Sequence, residues 1–205
     1  MKKMLIALLA LGAAGAAQAD IIPALTVSSP VRVGSLFAYN YTATLAADQA
    51  LRTNNFFTIY DFEGFAGFGT LGAGFTGSTA LLGRTPGDVL PNDSASVLNA
   101  TFTYSGPTLN QPATNMQGVS TELGTFTIFS RFDGLGLIQF ASQGIKNNGF
   151  AAGTTVGNIG STAGPLAGGG IGNTIPEPSV WAMLLIGFGA IGVSARRRRP
   201  VAIAA

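Results

Sequence analysis

The sequence contains no cysteine and no histidine. The first absence removes disulfides, thiolate nucleophiles and cysteine metal sites. The second removes Ser-His-Asp triads, Cys-His dyads and zinc centres built on imidazole. Charge is scarce as well: 10% of residues are charged, against 47% hydrophobic residues and 29 glycines. That balance is unusual for a cytosolic enzyme. The formal net charge of +2 misleads, because Lys2, Lys3 and Arg196 to Arg199 crowd the two ends. Between Asp20 and Ile175 the basic residues are Arg32, Arg52, Arg84, Arg131 and Lys146. They are outnumbered by Asp20, Asp48, Asp61, Glu63, Asp88, Asp93, Glu122 and Asp133. A net-acidic body lacks the basic face that nucleic acid needs. No nucleic-acid partner and no cofactor is expected.

What is present begins at the ends. At 205 residues the chain has room for one domain with tails. Its start, MKKMLIALLALGAAGAAQAD, has a basic n-region at Lys2 and Lys3 and a short apolar run from Leu5 to Leu11. Ala17-Gln18-Ala19 supplies the small-x-small pattern that signal peptidase accepts. Residues 1–19 are therefore expected to be a signal peptide, cut between Ala19 and Asp20, and the rest to be exported. Near the other end, Ser179 to Ala195 carries no charge. As a helix this run spans about 26 Å, close to a bilayer's apolar thickness. Arg196, Arg197, Arg198 and Arg199 then act as a stop, because each arginine at mid-bilayer costs ~2.5–3.5 kcal/mol. The positive-inside rule puts these arginines and the tail 200–205 in the cytoplasm and the body outside. Trp181 falls one turn inside the outer boundary, and Gly187, Ala190 and Ser194 give the helix one small-residue face.

The residues around this span are ordered and spaced. Pro176-Glu177-Pro178, Trp181-Ala182-Met183, Gly187-Phe188-Gly189 and Arg196 to Arg199 follow one another. This C-terminal stretch resembles the PEP-CTERM sorting signal, in its PEPxxWA-like subtype. Leu184 stands where that subtype usually has a second methionine, and the tail Val201 to Ala205 is longer than usual. The resemblance covers only the C-terminal segment, residues 176–199. It implies export, transient anchoring in the inner membrane, and cleavage near Pro-Glu-Pro by an exosortase-type membrane protease. The released body would go to the cell surface or extracellular matrix of a Gram-negative bacterium that makes exopolysaccharide. Proline keeps its predecessor extended and lacks an N–H, so the Pro-Glu-Pro stretch is expected to stay open just outside the membrane.

The body is expected to be all-β. In VRVGSLFAYNYTATL, Val33, Phe37, Tyr39, Tyr41 and Leu45 share one parity. FFTIYDF, SVLNATFTY, GTFTIFSRF and GLIQFAS are likewise rich in β-branched and aromatic residues, and GRTPGD, LPND and SGPTLNQP separate the runs. The spacing predicts an antiparallel β-sandwich, jelly-roll-like, over residues 20–148. Residues 149–175, with FAAGTTVGNIGSTAGPLAGGGIGNT, read as a flexible linker by their Gly/Ala/Ser/Thr composition. The sorting signal follows over 176–199. FTIYDFEGF and the Tyr-rich strand before it also resemble ectodomains of this family.

Candidate chemistry in the body is sparse. Asp61 and Glu63, two apart in an expected strand, would face one way and could serve glycoside hydrolysis, or mark where the strand leaves the core. Asp88, Asn92 and Asp93 offer oxygen ligands for calcium, although their spacing fits a polar turn better than any EF-hand. Tyr39, Tyr41, Tyr60 and Tyr104 would stack on sugar rings if exposed, or form core if buried. The expected function is a non-enzymatic surface or matrix protein associated with exopolysaccharide or biofilm, with no catalytic, cofactor or metal residues. The alternatives are a carbohydrate-binding module for the same polysaccharide and a secreted glycan hydrolase. The expected partners are signal peptidase, an exosortase-type protease, the membrane as a transient anchor, and exopolysaccharide.

Overall fold

The computed structural model describes residues 21–110 and 120–167. The chain divides into two compact units, 1–170 and 171–205, and the described residues all belong to the first. The expected signal peptide, membrane helix and sorting residues lie outside the described residues. Among those described, no helix is long and apolar enough to cross a membrane.

Twelve strands run through the body in this order: β1 (Ile21–Leu25), β2 (Val31–Val33), β3 (Leu36–Leu45), β4 (Gln49–Leu51), β5 (Phe56–Ile59) and β6 (Phe65–Phe68); then β7 (Phe75–Ala80), β8 (Asn99–Tyr104), β9 (Leu109–Asn110), β10 (Thr121–Ser130), β11 (Gly134–Lys146) and β12 (Thr155–Leu166). One sheet has the order β1-β3-β10-β6, with β2 also on β3. The other runs β7-β8-β5-β11-β4-β9, with β12 on the far edge of β11. All pairings are antiparallel.

The two inner faces meet in one aromatic core. Phe126 of the first sheet lies 5.0 Å from Phe57, 5.0 Å from Phe75 and 5.2 Å from Phe102 of the second, mostly edge to face. Phe57 and Phe102 stack at 4.7 Å, and Tyr39 meets Phe62 at 5.6 Å. The parity read in β3 holds, since Tyr39, Tyr41, Ala43 and Leu45 are fully buried or nearly so while Asn40, Thr42 and Thr44 are half-buried. The antiparallel sandwich is therefore present. The jelly-roll-like variant does not follow from this strand order, because β11 and β12 are a hairpin within one sheet.

Three sequence expectations need correction. VRVGSLFAYNYTATL is two strands, because Gly34 at φ 62 turns the chain and folds β2 back on β3. Val33 is consequently 50% exposed rather than core. The stretch FFTIYDF is strand only to Ile59, since Asp61 at φ 50 and Gly64 at φ 64 bend it away. The largest correction concerns the linker, of which residues 155–166 form strand β12. This strand pairs with β11 from Ile145↔Thr155 to Gly134↔Leu166 without a break. Its glycines are sites of close approach: a Cβ at Gly164 would lie 2.0 Å from Ile138 Cδ1, and one at Gly160 would lie 2.7 Å from Phe140 Cζ. Phe140 is the residue opposite Gly160, so its ring covers the place a side chain would take.

Candidate functional site

Strands β5 and β8 are buried on both faces, although a two-layer sandwich would leave one face wet. Phe56, Thr58, Tyr60 and Thr101 are almost fully inaccessible, yet they lie outside the inter-sheet core. The cover is the connection 81–98 between β7 and β8, which crosses the outer face of the second sheet as a strap. Its carbonyl at Arg84 accepts from the Thr58 hydroxyl at 2.7 Å and from the Tyr60 hydroxyl at 2.9 Å. The Arg84 guanidinium lies 4.0 Å over the Phe56 ring, a cation–π contact, and donates to the Asn54 carbonyl at 3.1 Å.

The strap then reaches β12, where the Gly157 N–H donates to Asp88 Oδ2 at 2.9 Å. It returns over β11, where the Asn92 N–H donates to Gln139 Oε1 at 2.6 Å. Asp93 closes it. One carboxylate oxygen accepts from the Gly83 N–H at 2.7 Å and the other from Asn99 Nδ2 at 2.8 Å. Asp88, Asn92 and Asp93 thus tether a polar turn, and Asp88 and Asp93 do so with their carboxylates. Among the described residues no group of three or more acidic, His or Cys side chains could hold a metal. Sequence reasoning missed Asn99 and Arg84 in this arrangement; Asn99 shares the polar parity of β8 with Thr101 and Thr103, and no spacing signal marks that face as covered.

Asp61 and Glu63 come together, though not by the expected route. They flank the buried Phe62 in the turn after β5 and line one cavity of about 400 Å³ with Asn92, Leu137, Gln139 and Ser161. Asp61 Oδ1 accepts the Ser94 N–H at 3.0 Å, and its own N–H donates to Asn99 Oδ1 at 2.7 Å. Burial raises its carboxyl above the ordinary range; Ser94 opposes that shift, while Asp93 and Glu63 add to it. Glu63 accepts from the Ala167 N–H. Each carboxylate is thus committed to a backbone amide, Asp61 to one in the strap and Glu63 to one just after β12.

All four candidate tyrosines are buried, Tyr39, Tyr41 and Tyr104 in the inter-sheet core and Tyr60 beneath the strap. Tyr39, Tyr41 and Tyr60 are 0% exposed and Tyr104 is 3% exposed. Their hydroxyls hold backbone carbonyls: Tyr39 that of Gly134 at 2.7 Å, Tyr41 that of Ala163 at 2.8 Å and Tyr104 that of Pro107 at 2.6 Å. No open aromatic platform is formed by them.

The body is thus an antiparallel β-sandwich with a strapped outer face. At the other end of the chain, residues 174–199 match the PEP-CTERM protein-sorting motif. That match contains Pro176, Glu177, Pro178, Trp181, Ala182, Met183, Gly187, Gly189 and Arg196 to Arg199, the residues that carried the resemblance. The motif implies processing by exosortase, a membrane protease, from an anchored precursor that is then exported. No curated protein matches the chain, and no solved structure does.

Proposed function

We propose that the chain is an exported, non-enzymatic surface or matrix protein, held in the membrane by 179–195 and released by an exosortase-type protease near Pro176-Glu177-Pro178. The sorting-motif match at 174–199 carries this reading. Two features of the body support it. The first described strand, β1, runs from Ile21, whose N–H donates to Ser142 Oγ at 3.2 Å, and a cut between Ala19 and Asp20 would leave it whole. The tyrosines are buried and the carboxylates Asp61 and Glu63 serve backbone amides, which favours a structural role over a sugar-stacking module or a hydrolase.

The spacer before the protease site is residues 167–175, shorter than composition suggested. Fully extended it reaches about 30 Å. The body's association with exopolysaccharide belongs to this same proposal and rests on the sorting motif alone. The double substitution Glu177→Ala, Pro178→Ala tests the sorting step. Full-length protein should collect in the membrane fraction and the released form should fall. Unchanged release with unchanged product mass would refute it.

A further inference from the structure

Several asparagines of the folded body are held by side-chain bonds. Asn55 is buried and its Oδ1 accepts the Arg52 N–H at 2.6 Å. Asn99 is buried in the strap network, and Asn40 Oδ1 accepts the Thr127 hydroxyl at 2.7 Å. Asn148 differs in sequence and in place. It is followed by glycine, and no other asparagine of the chain is. It sits at the tip of the β11–β12 hairpin, just before the 3-10 turn Gly149–Ala151.

Four features at this tip act together. Asn148 is exposed. Its backbone is extended, at φ −138 and ψ 167, and its side chain makes no capping bond. Gly149 adopts φ 63, and a Cβ added there would meet nothing within 4 Å, so nothing packs against its α-carbon. The Gly149 N–H donates to no group among the described residues. An exposed side-chain amide without a capping bond thus adjoins a backbone nitrogen whose N–H is uncommitted. A glycine also leaves that backbone the freedom to bring the two together.

We propose that Asn148–Gly149 is a site of spontaneous deamidation, with water as the co-reactant. Hydroxide takes the Gly149 amide proton and the nitrogen bonds to Asn148 Cγ. The Cγ–Nδ2 bond breaks and ammonia leaves. Water then opens the cyclic imide at one of its two carbonyls, giving aspartate or isoaspartate. Either product sets a new carboxylate two residues along the chain from Lys146, whose ammonium pairs with Asp48. Isoaspartate also adds a methylene to the main chain. The unbroken register from Ile145↔Thr155 onward confines the change to the hairpin tip. The proposal is independent of how the protein is sorted.

The test incubates the purified full chain in mildly alkaline buffer and maps it by peptide mass spectrometry, with aspartyl and isoaspartyl forms separated. Conversion at Asn148 should run an order of magnitude faster than at any other asparagine, with both products present. Asn148→Gln should abolish it. Gly149→Asn, a residue that tolerates positive φ, should slow it by a similar factor while circular dichroism shows the fold retained. Two results would overturn the proposal. One is an intact Asn148 when a synthetic peptide spanning 145–152 has fully converted. The other is an unchanged rate at Asn148 in the Gly149→Asn protein.

Discussion

Each of the four body tyrosines places its ring among apolar neighbours and its hydroxyl on a backbone carbonyl, so burial leaves no polar group unpaired. Removing one hydroxyl leaves the carbonyl without its partner. Tyr39→Phe should therefore lower stability by about 1–2 kcal/mol in a urea titration, and no change would count against the bonds described. The same burial governs pH. Every one of these phenols is raised above the ordinary 10.0, chiefly by burial, with Asp133 a second cause at Tyr39. Below that value both states are neutral and stability is complete. Above it the unfolded chain loses protons first, so stability should fall as pH climbs, and phenolate absorbance should rise together with loss of the fold. Asp61 behaves oppositely to a stabilising carboxylate: burial raises it, so its charged form disfavours folding once pH exceeds the ordinary carboxylate range. Asp61→Asn keeps an acceptor for Ser94 and suits φ 50, and should leave stability unchanged or slightly higher; Asp61→Ala should cost about 1 kcal/mol. The sequence identified these residues by type and parity. It did not show which layer covers them, because the strap that buries Tyr60 and Thr58 is a polar loop with no periodicity.

Strand-level reading succeeded where side chains alternate and failed where glycine replaces them. The segments β3, β5, β8, β10 and β11 are built from β-branched and aromatic residues and were all legible. The sequence of β12, TVGNIGSTAGPL, offers few side chains that signal burial, because neighbours fill the space instead. Ile138 occupies the place over Gly164 and Phe140 the place over Gly160. Gly164→Val should destabilise the body by about 1–3 kcal/mol through overpacking, whereas Gly87→Val, where a Cβ would meet nothing within 4 Å, should have little effect. A thermal melt of the two variants separates them; equal melting temperatures would return β12 to the status of a linker. Truncation carries the same logic further, since a chain ending at Asn148 loses the whole partner of β11 and bares a long edge.

Over the whole molecule the informative parts are divided. The folded body tells how it is held together, by one aromatic core and one strap, while the short C-terminal motif tells where the chain is sent. The C-terminal motif was legible in the sequence because a signal read by an enzyme must be written locally and in order. The body's role is written in surfaces that a single sequence does not order. The most direct test of the account is the intact mass of the form found at the cell surface. The account expects a chain that begins at Asp20 and ends at the Pro176-Glu177-Pro178 motif, without the arginines. A surface form that still carries Arg196 to Arg199, or that has the full precursor mass, would contradict it.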